Sequence, residues 1–174
     1  MLKVLIATEN EHKFKEITHI LPQATQTGES IEYVSLKDIG GLRLPEENGI
    51  SLEENAGIKA VFAAKEANMW AVSDDTGLEV EFLNGRPGVH TARYAGEEAD
   101  AEKNNRKLLA ELEGLFLGKR AARFRTIACL AAPSGKKVFF EGILNGFIGP
   151  EYRGKNGFGY DPLFIIEGSN KTLA

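Results

Sequence analysis

The stretch Ala71-Val72-Ser73-Asp74-Asp75-Thr76-Gly77-Leu78-Glu79-Val80 constrains this fold more than any other, because it drives an apolar run straight into two adjacent carboxylates. Trp70, Ala71 and Val72 read as the end of a buried strand. Leu78, Val80 and Phe82 alternate with Glu79 and Glu81, so a half-buried strand resumes after Thr76-Gly77. The acidic pair is therefore expected at a break between strands. Successive strand residues point to opposite faces, so one carboxylate can fix the loop while the other faces a site. The same residues also read as an Asx-type turn in which both carboxylates bond local amides. Partners elsewhere in the chain decide between the two.

At 174 residues with 43% hydrophobic residues, the chain is expected to form one domain over 1–174, with a core that needs no disulfide staples. The single cysteine, Cys129, lies in the apolar run Thr126 to Ala132, where a buried thiol is expected and a reducing compartment implied. Met1-Leu2-Lys3 leads directly into a strand-like run without the order of a signal peptide, and no apolar stretch approaches bilayer length. A cytoplasmic protein without membrane contact is expected. A formal charge of -4 opposes binding of long nucleic acid but permits a compact phosphate site where a few cations and a metal are concentrated.

Val4-Leu5-Ile6-Ala7 reads as a buried central strand, followed at once by a helix that Asn10 caps. Phe14, Ile17, Ile20 and Leu21 recur at helical spacing until Pro22, which is expected to stop it. A polar Gln/Thr/Gly turn leads to a short strand with Ile31 and Tyr33 on one side. Beyond a loop ending Pro45-Glu46-Glu47-Asn48-Gly49, Ser51 and Glu54 form a capping box, and Ala56, Ala60, Ala63, Ala64 and Ala67 mark a close-packing helix face. A third helix starts at Asp100, carries Leu108, Leu109 and Leu112, and ends by Gly114. Arg123 to Ala132 and Lys137 to Gly149 read as a hairpin joined by Pro133-Ser134-Gly135-Lys136, so a mixed sheet with flanking helices is expected.

Thr8, Asn10 and Lys13 sit where the first strand gives way to the first helix, and helix-start amides with these side chains can hold phosphate oxygens; a Thr-x-Asn before a helix is equally an ordinary cap. No Walker-type glycine loop is present. Asn55 and Lys59 are four apart and share one side of the second helix, where the lysine either meets an anion or snorkels to the surface. Glu47 and Asp75 are candidates for a magnesium (Mg2+) pair, since that ion takes oxygen ligands from one or two carboxylates plus phosphates. His12, His19 and His90 have no zinc-like spacing, and no Ser-His-Asp arrangement can be built. In Arg153 to Pro162, glycines let backbone approach a ligand and Phe158 or Tyr160 offers a ring for stacking a base; the run reads equally as a strand connection.

Taken together, Ala7-Thr8-Glu9-Asn10 with Lys13 and Glu16, Glu47-Asn48-Gly49 with Glu54-Asn55-Ala56 and Lys59-Ala60, Asp74-Asp75-Thr76-Gly77-Leu78, Pro87-Gly88, Ala92-Arg93-Tyr94, and Gly157-Phe158-Gly159-Tyr160-Asp161-Pro162 resemble the inosine triphosphate pyrophosphatase family. The resemblance spans nearly the whole chain in order. It implies an α/β fold with a mixed twisted sheet and two lobes around a central cleft, a homodimer, and magnesium-dependent hydrolysis of ITP, dITP and XTP to the monophosphate and pyrophosphate, which sanitises the nucleotide pool. On matching positions it implies phosphate binding by Thr8, Glu9, Asn10, Glu11, His12, Lys13 and Lys59. It further implies metal binding by Glu47 and Asp75, activation of water by Asp75 as the catalytic residue, and substrate binding by Thr76, Phe158, Gly159, Tyr160 and Asp161. His90 stands where many relatives carry Tyr, and Thr91 where many carry Ser. The family pattern continues past Ala174 into a Ser-His-Arg run that reads the purine, so a chain ending there is expected to discriminate ITP from ATP less well. Two rivals remain: a Maf-type pyrophosphatase of other base specificity, whose opening favours a Ser-x-Ser with arginines, and a non-catalytic nucleotide- or RNA-binding module.

Overall fold

The computed structural model describes residues 2–24 and 31–174. The polar turn expected after the first helix falls outside the described residues. The elements run β1 (Leu2–Ile6), α1 (Glu11–Ala24), β2 (Ile31–Ser35), α2 (Leu52–Ala67), β3 (Trp70–Val80), β4 (Pro87–Gly88), α3 (Ala101–Glu111), β5 (Ala121–Ala131), β6 (Lys137–Ile148) and β7 (Phe164–Ile166). The sheet is mixed, in the hydrogen-bonded order β2-β1-β3-β5-β6-β7 with β4 paired to β3. The expected α/β class and the β5–β6 hairpin are both present.

Two compact units share the chain: Met1–Asp75 with Ile127–Glu141, and Thr76–Thr126 with Gly142–Ala174. In the first unit, β1 pairs in parallel with both β2 and β3. Such pairing needs a crossover between the strands, and α1 and α2 supply it. Leu5, Ile6 and Ala7 are fully buried, as a strand covered on both faces requires. The alanine face of α2 is also fully buried at Ala56, Ala60, Ala63 and Ala64. Small side chains bring the helix close enough for the Ser73 hydroxyl of β3 to donate to the Ala56 carbonyl at 2.5 Å. Ser51 caps α2 by accepting from the Glu54 amide at 3.2 Å, while Glu54 accepts from the Ile50 amide at 2.8 Å, so the reciprocal half of the capping box lands one residue upstream. Cys129 is buried, as expected.

In the second unit, Leu78, Val80, Leu108, Leu112, Ile148, Leu163 and Phe164 form the heart of a core that Phe124 joins with its ring 4.7 Å from that of Phe164. Asp100 caps α3 by accepting from the Lys103 amide at 3.1 Å. Arg120 is buried, and its guanidinium donates to the carbonyls of Ile148 at 2.7 Å, Leu112 at 3.1 Å and Gly149 at 2.9 Å, tying the end of α3 to the end of β6.

Two expectations are corrected. Pro22 does not stop α1, which continues to Ala24; in the last turn a missing amide removes one helical bond and the helix tolerates it. The acidic pair does not break the strand either, because β3 runs unbroken from Trp70 through Asp74 and Asp75 to Val80, and Phe82 falls in a short 3-10 turn over Glu81–Leu83. Carboxylates break a strand when they take local amides. Here they take side chains from α1 and α2, so the ladder is left intact.

Because the alanine face of α2 is fully buried, Ala60→Leu is expected to lower unfolding stability by about 1–3 kcal/mol through overpacking, measured by urea denaturation.

Candidate active site

Within the first unit, Asp75 is 8% exposed, a burial that a carboxylate tolerates only with partners. Asn55 of α2 supplies one, donating Nδ2 to Asp75 Oδ2 at 3.1 Å. The other end of the same amide accepts the Gly49 N–H at 2.8 Å. A Cβ on Gly49 would stand 2.6 Å from Asn55 Oδ1, so only glycine lets the loop backbone come this close. One turn along α2, Lys59 is also buried, and its ammonium donates to Glu47 Oε1 at 2.5 Å and to the Asp74 carbonyl at 2.7 Å. The surface reading of Lys59 is thereby excluded. Lys13 of α1 completes the cluster, its ammonium 2.5 Å from Asp74 Oδ2.

These contacts divide the acidic pair. Asp74 faces a cation on α1 and has its carbonyl tied to α2, which makes it a brace. Asp75 is held by a neutral amide. Burial pushes its pKa up, the Glu47 charge pushes it further in the same direction, and the charges of Lys59 and Lys13 with the Asn55 hydrogen bond pull against them. The Asx-turn reading is not what the side chains do.

At the start of α1, Asn10 Oδ1 accepts from the amides of His12 at 2.9 Å and Lys13 at 3.3 Å, and Thr8 Oγ1 accepts from the Asn10 amide at 3.2 Å. Both side chains thus act as caps in this structure. Glu9 accepts from the Leu44 amide at 3.2 Å, pinning the loop before Glu47, and Glu11 pairs with Lys37 at 2.6 Å on the surface. His12 is exposed.

The remaining candidates belong to the second unit. Thr76 and Thr126 share a hydroxyl hydrogen bond of 2.9 Å. In the glycine-rich run, Asp161 Oδ2 accepts the Phe158 amide at 2.8 Å, closing a tight turn in which Gly157 adopts φ +72°. Burial raises the pKa of Asp161, and the Phe158 amide opposes the rise. Tyr160 is buried and donates to the Thr91 carbonyl at 2.9 Å, whereas the Phe158 ring is 37% exposed. Phe158 is thus the ring presented outward and Tyr160 the anchor beneath it.

Sequence reading had set Asn55 beside Lys59 but gave it no part in the site. Its spacing of four from Lys59 was the available signal, and its contact with Asp75 is what it meant. Asn104 and Asn105 of α3, both buried, escaped notice because a polar pair mid-helix reads as surface. No helix among the described residues is long and apolar enough to cross a membrane.

A family model described as the Ham1 family matches residues 4–174. The chain is 59% identical over 173 residues to the dITP/XTP pyrophosphatase of Elusimicrobium minutum, covering 99% of this chain and 87% of that protein. It is 42% identical over 174 residues to the dITP/XTP pyrophosphatase of Bacillus subtilis, covering 100% and 85%. Among solved structures, a HAM1 protein from Coxiella burnetii superposes with a TM-score of 0.87 at 34% identity, over 100% of this chain and 86% of that one. The nucleoside-triphosphatase / dITP/XTP pyrophosphatase of Mycobacterium abscessus gives a TM-score of 0.80 at 37% identity, over 99% and 87%. With the motifs around Asp75, Lys59 and Phe158 all inside the matched residues, and with the fold shared over nearly the full chain, this protein belongs to the Ham1 family.

Proposed function

We propose that this chain hydrolyses dITP, XTP and ITP to the nucleoside monophosphate and pyrophosphate, as a nucleoside triphosphate pyrophosphatase that removes non-canonical purines from the nucleotide pool. The observation that carries this reading is the buried Asp75, held by Asn55 beside the Lys59–Glu47 pair, in a chain whose relatives bear the name dITP/XTP pyrophosphatase.

A base works best when its pKa approaches the operating pH, and burial moves Asp75 in that direction. In the reaction, an Asp75 oxygen takes a proton from the attacking water. The new P–O bond forms as the anhydride between the α and β phosphates breaks, and pyrophosphate leaves. Asn55 holds the other geometry of the carboxylate by bonding Oδ2. Lys59 fixes Glu47 and the Asp74 carbonyl together, with a third ammonium proton remaining for a phosphate oxygen. Lys13 and the amide-rich start of α1, from Thr8 to Lys13, would bind phosphate oxygens, and Thr76 and Phe158 to Asp161 are the candidates for the nucleoside.

Glu47 and Asp75 fit magnesium in donor chemistry, being hard oxygens, and in charge, since the Glu47 carboxylate disfavours the ionised form of Asp75 until a cation is added. Among the described residues no group of three or more His, Cys, Asp or Glu gathers as a ligand set, consistent with two carboxylates completed by water and phosphate. When bound, the ion would neutralise charge on the triphosphate.

We also propose that the chain acts as a homodimer. Within the first unit, β6 exposes Val138 and Phe140, two residues apart on one strand face, at 51% and 61%. An apolar patch on one strand can be self-complementary across a two-fold axis.

Purified protein with Mg2+ is expected to release pyrophosphate from dITP and XTP in preference to dTTP and UTP, with a weaker preference over ATP; Asp75→Asn should reduce kcat by roughly 10²- to 10⁴-fold, and Glu47→Gln should be partly restored by high magnesium. Near-normal turnover in the Asp75 variant would remove that residue from the chemistry. A stability test uses the same variant without metal. Because burial raises the folded-state pKa of Asp75, its ionised form opposes folding above that pKa, and the opposition fades as pH falls through it. Asp75→Asn is therefore expected to melt higher than wild type near pH 8 in EDTA, with the gap closing on acidification. For the assembly, Phe140→Glu should convert a dimer to a monomer in sedimentation equilibrium. A wild type monomeric at tens of micromolar would defeat the dimer.

A further inference from the structure

Asn104 and Asn105 are consecutive on α3 and only 4% and 3% exposed. Asparagine is an indifferent helix former, and a buried amide must find partners or cost stability. Asn104 uses both ends of its amide on one turn, donating to the Ala92 carbonyl at 2.8 Å and accepting from the Ala95 amide at 2.6 Å. Asn105 reaches the other way and donates Nδ2 to the Gly159 carbonyl at 2.9 Å. The same side chain also hydrogen-bonds Tyr152, while its Oδ1 is buried without a hydrogen bond. An apolar replacement would leave the Gly159 carbonyl without this donor, so the tether to that loop is what the residue provides.

The two turns that these asparagines hold are themselves linked. Tyr160 donates to the Thr91 carbonyl at 2.9 Å, and burial raises its pKa, keeping it a donor. Thr91 in turn donates to the Gly88 carbonyl at 2.5 Å and accepts from the Leu78 amide at 2.7 Å. A closed circuit results: α3 to Gly159, Tyr160 to Thr91, and the Thr91 turn back to α3 through Asn104. Phe158 sits inside it, with its own amide bound by Asp161 on one side and the Gly159 carbonyl bound by Asn105 on the other. The ring sits on a loop with glycine before and after it, so these two backbone bonds limit where it can point.

We propose that Asn105 is a positioning residue for nucleobase selection: by holding the Gly159 carbonyl it fixes the plane of the Phe158 ring against the base of the nucleotide. This rests on the functional reading given above. Asn105 bonds the loop proposed for the nucleoside and not the residues proposed for phosphate or metal, so its effect is expected on the affinity and discrimination of the base and not on cleavage.

Asn105→Ala and Asn105→Asp test it, the second keeping the shape while turning the donor into an acceptor that repels the Gly159 carbonyl. Both are expected to raise KM for dITP by about tenfold with kcat changed less than about twofold. Both should flatten the ratio of kcat/KM for ITP over ATP and leave inhibition by inorganic tripolyphosphate unchanged. Asn105→Ala leaves a void and unpairs the Gly159 carbonyl, so its melting temperature is expected to fall, and kinetics are read well below it. Tyr160→Phe, which cuts the second tether without changing size, should reproduce the loss of selectivity and keeps the test available where an Asn105 variant does not fold. In the background of Phe158→Ala, Asn105→Ala should add nothing further. A selective wild type whose selectivity survives in folded Asn105→Ala and Tyr160→Phe overturns this inference alone, as does an equal loss of tripolyphosphate binding. A wild type that releases no pyrophosphate from dITP overturns the functional reading and this inference with it.

Discussion

The ammonium of Lys59 sits at a depth where an unpaired charge would be prohibitive, and what it bonds there organises the first unit. It joins Glu47, on the loop before α2, to the Asp74 carbonyl, on β3. Three separate segments are thereby registered by one side chain. A buried charge has strong directional demands, because in a poorly solvating surround each missing hydrogen bond is felt nearly in full. The alanine face of α2 makes this possible: only a helix lying against the strand through methyl groups lets a lysine from its flank reach the strand backbone. Packing and chemistry are one constraint here.

From that arrangement follows the unequal treatment of two adjacent acids. Asp74 meets the cation of Lys13 and gives its carbonyl to Lys59, so its charge is spent on structure. Asp75 is buried and lies near the Glu47 carboxylate, and these two raise its pKa against the opposing pull of Lys59, the Asn55 amide and Lys13. Neighbours in sequence thus have opposite electrostatics. A stable protein gains nothing from the second situation. It is the kind of local conflict that sites retain because the reacting system, with its own cation and proton, resolves it.

The second unit solves a different problem, holding an exposed ring still on a loop made flexible by glycine. Its means are neutral hydrogen bonds between side-chain amides or hydroxyls and backbone carbonyls, at Asn104, Asn105, Tyr160 and Thr91. Arg120 does the same at the far end of α3, where its guanidinium serves three carbonyls. Irregular segments leave many backbone groups without a ladder, and buried side chains here take over what a sheet would have done.

By itself the sequence determined the class of fold, the helix starts at Asn10, Ser51 and Asp100, the β5–β6 hairpin and the close-packing face of α2, because each follows from periodicity, capping or turn chemistry within a few residues. It also picked out Lys59, Glu47, Asp75 and the Phe158 loop as chemically unusual. Tertiary structure decided the rest. Whether Asp74 and Asp75 end a strand depends on what their oxygens bond, and those partners, Lys13 at 2.5 Å and Asn55 at 3.1 Å, come from positions 61 and 20 residues away. Whether Lys59 is a surface charge or a buried bridge depends on the loop carrying Glu47 folding over it. That Asn104 and Asn105 serve two loops on a helix whose pattern reads as solvent-facing is decided by Ala92, Ala95 and Gly159 arriving there. Local rules see a side chain and its near neighbours, and a buried polar group is explained only by the partner that the fold brings to it.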